Sequence, residues 1–264
     1  MSYSAGRMRF LDTTLLDSMD ESRRAAANTS GRGVVPMRAS VLGLFPSGVI
    51  GAELTDLSAG ASLMAEEMAA VARASARRRA EFASGRQCAR AALRLLGHDL
   101  VGIPSLPTNA PRWPDGVTGS VSHSLGYCGA VVTWSRLFGA IGFDVERRGS
   151  VSPDVLSIVA SESEAAGLSG ITGRSRDDLA TVLFSAKEAY YKAHHQAYGS
   201  ELDFPDVEFH LTGPDTFEIT HRVLRDDDPD YTAPRIGRFR IGFTHVFTAL
   251  TWHPERGDGA RATP

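Results

Sequence analysis

The sequence predicts an α+β protein built from two halves of similar rhythm. Two helical stretches carry that reading: an Ala-, Leu-, Glu- and Arg-rich run from Leu57 to Leu96, and a second from Thr181 to Tyr198. Each precedes apolar strand segments that end on a tryptophan, Trp134 or Trp252, and GAVVTW at Gly129–Trp134 is echoed by FTALTW at Phe247–Trp252. An α/β unit used twice explains the echo; with so few matching residues, chance is the competing explanation. The division expected is residues 1–138 against 139–264.

In chain order, the first thirty residues are polar and small and predict a weakly ordered start. Val41–Phe45 is an apolar run that reads as a strand stopped by Pro46-Ser47-Gly48. The stretch 57–96 is one long helix or two stacked ones, interrupted at Ser84-Gly85 and closed by Gly97. Pro104, Pro107, Pro111 and Pro114 make a constrained loop, and turns at Gly116 and Gly119 feed Ser120–Ser124. Gly129–Trp134 and Ala140–Glu146 are strands. In the second half the helix Thr181–Tyr198 ends at Gly199, and Val207–Leu211 and Thr216–Val223 are strands. Arg225–Asp230 is an acidic turn, Phe239–Trp252 a strand region, and the closing GDGARATP a frayed tail.

With 264 residues the chain can bury a sizeable core, and 42% hydrophobic with 22% charged residues is ordinary globular composition. A net charge of −3 argues against broad nucleic-acid binding, which needs a basic face to displace counterions. Cys88 and Cys128 have neither metal-ligand nor CxxC spacing and read as buried free thiols in a reducing compartment. No export signal and no membrane-length apolar run stands in the sequence, so a cytoplasmic monomer is expected.

The chemistry begins with IGFDVE. Strand alternation places Asp144 and Glu146 on one face, with Phe143 and Val145 on the other. Two adjacent carboxylates stay ionised together only in good solvent or beside a cation, so a solvated strand end and a cation site are the rival readings. Glu188, in FSAKEAYYKA, adds a third carboxylate from a helix. Together the three suit the oxygen shell of Mg²⁺, which is completed by water and substrate phosphates. Glu188 and Lys192 share a helix face, as a plain ion pair or as part of a site, while Lys187 points about 100 degrees away.

Arg79, Arg86 and Arg90 fall on one helical stripe, with Cys88, Ala92 and Leu95 opposite. The stripe is either solvated padding or a grip for a phosphate ligand. Ser122 and His123 alternate across an extended segment, and no nearby Asp orients the histidine, so phosphate binding fits better than a hydrolase triad.

Four blocks, GRQCARAAL, WPDGVTGSVSHS, IGFDVE and FSAKEAYYKA, resemble in order and separation the signature blocks of the 4'-phosphopantetheinyl transferases. The similarity is to the branch of the enterobactin synthetase component D and Sfp-like enzymes, and LFPSG at Leu44–Gly48 resembles a further block of it. The resemblance implies a pseudo-dimer of two similar α/β subdomains with coenzyme A in the cleft between them. It implies transfer of phosphopantetheine to a serine of acyl or peptidyl carrier domains of peptide, polyketide or siderophore synthases. It makes Asp144, Glu146 and Glu188 the Mg²⁺ carboxylates, Glu188 also the base, and Lys192 and His123 catalytic. Ser122 and His123 match residues at the coenzyme A phosphates, Lys187 and Lys192 match the family's lysines at the coenzyme A site with Lys192 at the phosphates, and Arg79 and Arg86 match residues at the nucleotide. A lysine common before the WP block is missing, which leaves Arg112 as its replacement. A Mg²⁺-dependent phosphohydrolase and a non-catalytic synthetase subunit are the alternatives.

Overall fold

The computed structural model describes residues 33–55, 61–168, 173–222 and 234–253. The expected weak start, the acidic turn at 225–230 and the tail lie outside these residues. Two antiparallel sheets organise the chain. The first runs in the order β1-β2-β4-β3, from β1 (Val35–Pro36), β2 (Ile50–Leu54), β3 (Val117–Ser124) and β4 (Tyr127–Trp134). The second runs β5-β9-β8-β7-β6, from β5 (Ala140–Arg147), β6 (Val207–Leu211), β7 (Thr216–His221), β8 (Arg235–Ile241) and β9 (His245–Trp252). Each sheet carries one long helix, α2 (Ala76–Leu96) on the first and α5 (Arg176–Tyr198) on the second. The two similar sheet-and-helix subdomains are what the duplicated rhythm predicts.

Both long helices are punctuated by ordinary chemistry. Ser75 caps α2 and Ser175 caps α5 at the N-terminus, and Gly97 and Gly199 end them in the left-handed conformation. One apolar core lies between α2 and the first sheet, and another between α5 and the second. A third, around Val41, Phe45, Val131, Phe143, Val145 and Phe247, joins the halves.

Several expectations are corrected. Val41–Phe45 is not a strand: Ala39–Leu42 forms a short helix, α1, and Val41, Leu44 and Phe45 are buried at helical spacing. The stretch before Leu96 divides into a 3₁₀ turn at Ala65–Val71 and α2, and Ser84-Gly85 does not interrupt α2. A Cβ on Gly85 would come 3.0 Å from Val121, so that glycine serves contact with β3. Gly119 is no turn either; it lies inside β3, where a Cβ would meet the Val131 carbonyl at 2.6 Å. The strand region Phe239–Trp252 is present and resolves into the paired strands β8 and β9. Leu95, placed on the buried side of the stripe, is half exposed, and Arg86 and Arg90 are buried instead.

The subdomains meet edge to edge. β3 and β5 are edge strands, and every second residue of β3 carries a hydroxyl towards the second half. Thr118 donates to Gln196, and Ser120 Oγ bonds both the carbonyl and the amide of Phe143, at 3.2 and 3.1 Å. Ser122 Oγ accepts from the Val145 amide at 3.2 Å, and Ser124 reaches Glu146. The exposed edge of β5 is thereby paired by side chains rather than by another strand. No helix among the described residues is long and apolar enough to cross a membrane.

Candidate active site

The cleft is built where β3, β5 and α5 converge. Gly142 permits this: a Cβ there would overlap the Ala189 carbonyl oxygen at 2.0 Å, so only glycine lets α5 press onto β5. That contact sets Glu188 and Lys192 over the strand that carries Asp144 and Glu146. Both strand carboxylates are buried, which removes the reading of a solvated strand end.

Asp144 is held from three sides. Lys192 Nζ lies 2.6 Å from Oδ1, Ser122 Oγ donates to Oδ1 at 2.8 Å, and Ser185 Oγ donates to Oδ2 at 2.7 Å. Glu188 has a different environment. It makes no hydrogen bond or ion pair with any described residue, and burial pushes its pKa up to about 7, with Asp144 adding to the rise and Lys192 opposing it. Two neighbouring carboxyls with environments this unequal have distinct acid–base roles open to them.

His123 stands on the opposite face of β3 from Ser122, with Arg78 Nη1 at 3.0 Å from its Nε2. Burial lowers its pKa; Glu81 works against that, and Arg78 and Lys192 reinforce it. A guanidinium 3.0 Å away requires that Nε2 act as the acceptor, so the ring is neutral with its proton on Nδ1.

Not every residue singled out from sequence enters the cleft. Lys187 is 1% exposed, and its ammonium is bonded to Glu164 and to the carbonyls of Val159, Phe204 and Val207. It ties α5 to α4 (Glu162–Gly167) and to the start of β6, away from the carboxylates. Ser122 faces Asp144 rather than open space. Arg86 donates to the Ile103 carbonyl and to Ser105, stacks on Phe82, and has its pKa lowered to about 10 by burial. It holds the proline-rich loop to α2. Arg90 is paired with buried Glu67. Arg79 is exposed and reaches only the Val71 carbonyl, and Arg112 is exposed on the loop after Pro111.

Arg78 is the arginine that sequence reasoning missed. Helical periodicity picks out the stripe Arg79, Arg86 and Arg90, whereas the side chain that meets His123 on β3 is that of Arg78. Ser185 was missed as well, although it precedes Lys187 by two residues in the same block. For a cation, Asp144, Glu146 and Glu188 offer hard oxygen donors. No group of three or more His, Cys, Asp or Glu residues is gathered as a ligand set among the described residues.

Sequence comparisons agree with this architecture. Residues 66–133 match the model of the 4'-phosphopantetheinyl transferase N-terminal domain, and residues 140–249 match that of the 4'-phosphopantetheinyl transferase superfamily. The chain is 43% identical over 165 residues to the 4'-phosphopantetheinyl transferase Svp of Streptomyces mobaraensis, covering 61% of this chain and 66% of Svp. It is 36% identical over 217 residues to the 4'-phosphopantetheinyl transferase PptT of Mycobacterium tuberculosis, covering 78% and 87%, respectively. With Npt of Nocardia iowensis, another 4'-phosphopantetheinyl transferase, it shares 36% identity over 176 residues, 67% of this chain and 76% of Npt. The class defined by fold and cleft is therefore an enzyme of phosphopantetheinyl transfer. The chain belongs to the 4'-phosphopantetheinyl transferase superfamily.

Proposed function

We propose that this chain transfers the 4'-phosphopantetheine group from coenzyme A to a serine of an apo carrier protein, with Glu188 as the base. The observation that carries the assignment of the base is the contrast between Asp144, held by three donors, and Glu188, which has none and a pKa raised to about 7. A base with that affinity takes a proton readily at neutral pH. The serine oxygen forms a bond to the β-phosphorus, the bond to the bridging oxygen breaks, and adenosine 3',5'-bisphosphate leaves. The serine proton passes to Glu188, directly or through one water.

Lys192 stands beside Asp144 with its ammonium directed into the cleft, where it would offset charge on the phosphate oxygens. Arg78 and His123, on the N-terminal side, would hold phosphates of coenzyme A. Asp144, Glu146 and Glu188 would hold Mg²⁺. When bound, that ion supplies charge neutralisation of the pyrophosphate and lets three carboxylates stand together. We assign Ser122 and Ser185 to orienting Asp144, and Lys187 and Arg86 to the framework. The pathway served and the carrier preferred are read at the level of class only: carrier domains of secondary-metabolite synthases.

The test is an intact-mass measurement on an apo carrier mixed with the enzyme, coenzyme A and Mg²⁺. A gain of one phosphopantetheine on the carrier is expected. Coenzyme A breakdown without that gain is the outcome of a phosphohydrolase, and no reaction that of a non-catalytic subunit.

A further inference from the structure

Three segments meet beside Glu146, two exposing an apolar side chain and the third a pair of arginines. They are the β3–β4 turn at Leu125-Gly126, the β8–β9 turn at Gly242–Thr244, and the end of β5 at Arg147-Arg148. Phe243 is 95% exposed and Leu125 50% exposed. A single exposed phenylalanine is ordinary, but Phe243 and Leu125 are brought together on turns that are bonded to each other, and an apolar pair beside the site is a candidate contact surface.

The turns are fastened to one another. His245, two residues past Phe243, donates from Nε2 to the Leu125 carbonyl at 2.9 Å, since a carbonyl can only accept. Its Nδ1 is 2.8 Å from the Thr244 hydroxyl, and the Arg148 amide donates to the Thr244 carbonyl at 2.9 Å. Burial together with Arg38 and Arg147 lowers the His245 pKa, which keeps this latch neutral, although the Leu125 carbonyl opposes the shift. Leu125 and Phe243 are thus offered on a preformed surface rather than on two independent loops.

The rim is cationic. Arg38 pairs with Glu53, but the arginine side chain is 46% exposed and the glutamate 5%. Arg148 and Asp178 repeat the pattern at 45% and 6%. In both pairs the carboxylate is covered and the arginine side chain is half exposed, so the cationic member is the one a partner meets. Arg38 lies over the Tyr127 ring, which in turn packs against His245, and this places it beside the latch.

We propose that Leu125 and Phe243, rimmed by Arg38, Arg147 and Arg148, form the docking surface for the carrier protein, through an apolar patch bordered by acidic side chains next to its serine. This rests on the transfer reaction proposed above. Position supports it: Ser124, one residue before Leu125, reaches Glu146, so a partner seated here delivers a side chain to the carboxylates. An aromatic anchor with a charged rim matches how binding energy is distributed in small interfaces, with a few residues dominant.

The experiment is steady-state transfer to an apo carrier by wild type, Phe243→Ser, Leu125→Ser, the double variant and Arg147→Glu, with coenzyme A affinity measured separately by calorimetry. The double variant is expected to raise KM for the carrier by about tenfold or more while leaving coenzyme A affinity and Tm unchanged. Wild-type KM should rise with salt, and less steeply in Arg147→Glu. If wild type modifies no carrier at all, the reaction itself is misassigned and the surface falls with it. If wild type is active and every variant keeps its KM for the carrier, the surface is wrong and the reaction stands. A wild-type dimer that the double variant dissolves, with carrier KM unchanged, makes the patch a self-interface and also overturns the proposal.

Discussion

Lys192 Nζ sits 2.6 Å from Asp144 Oδ1, across from its own helix, and not in an ion pair with Glu188 four residues earlier on that helix. Helical spacing alone favours the local pair, worth about 0.3 kcal/mol in an exposed helix. Burial reverses the preference, because Asp144 has two serine hydroxyls already pointed at it and Lys192 completes its shell. Glu188 is left without a partner of its own among the described residues, and burial raises its pKa to about 7.

Asp144→Asn should abolish transfer and lower stability. The amide retains the shape but removes the charge that Lys192, Ser122 and Ser185 are arranged around, and breaking one side of a buried ion pair costs about 3–5 kcal/mol. Lys192 keeps some exposure, so the lower end applies. Chemical denaturation and single-turnover transfer check the two effects, and a variant with wild-type turnover would remove Asp144 from the site.

Arg78 and Arg79 are neighbours with opposite expectations. Arg78→Ala should raise KM for coenzyme A by about tenfold, the loss of one charge-assisted contact. Arg79→Ala should stay within about threefold, since its side chain reaches only the Val71 carbonyl, at the end of the 3₁₀ segment before α2. Initial-rate kinetics with coenzyme A varied decide it; the reverse order would restore the stripe drawn from helical periodicity.

Lys187→Met tests a lysine that the motif places next to the base and the fold places in the framework. Glu164 would be left buried, and a loss of about 3–5 kcal/mol is expected. At temperatures where the variant remains folded, kcat/KM should fall by less than about threefold, because Lys187 does not reach the carboxylates. A large loss of activity in a stable variant would return Lys187 to the site.

These cases mark what the sequence made legible. Period-two alternation correctly put Asp144 and Glu146 on one face, because an edge strand between two packed layers leaves no freedom in which side chains point where. It could not say which way a long side chain reaches. Lys187, Arg86 and Arg79 all lie on the right elements, yet their flexible stems take the charge to Glu164, Ile103 and Val71. The strand β2 was overlooked because Gly51 and Ala52 give IGAEL little apolar contrast. The helices α3 (Pro153–Val159) and α4 were legible in principle, from Ser152-Pro153 and the Ser161–Glu164 capping box. The β3 hydroxyl ladder was visible as Thr118, Ser120, Ser122 and Ser124, but its partner, the edge of β5, is a tertiary fact.

Glu188→Gln separates function from stability in one protein. As the base, Glu188 must be ionised, so the wild-type transfer rate should rise with pH as its carboxyl gives up the proton and then level off, with Mg²⁺ moving that limb below the metal-free value of about 7. The amide has no proton to give up in this range; its rate should be lower by about 10²–10⁴ and lack the limb. Stability should move the other way. A carboxyl whose folded pKa is raised from 4.5 to about 7 favours the folded state most below pH 4.5, and that contribution is lost as pH rises through 7. Above pH 7 the wild type therefore carries an ionised, buried and unpaired Glu188, and the amide does not. The variant should be more stable than wild type by about 3 kcal/mol at pH 8, with the difference vanishing near pH 4.5. Urea denaturation of both proteins across pH 4.5–8, in chelator to remove divalent cations, measures it. Mg²⁺ added to wild type should shrink the gap, because a cation at the carboxylates stabilises the ionised form. An inactive variant with no gain in stability at pH 8 would mean that Glu188 is not held at a cost in the free enzyme, and its role as a poised base would go with it.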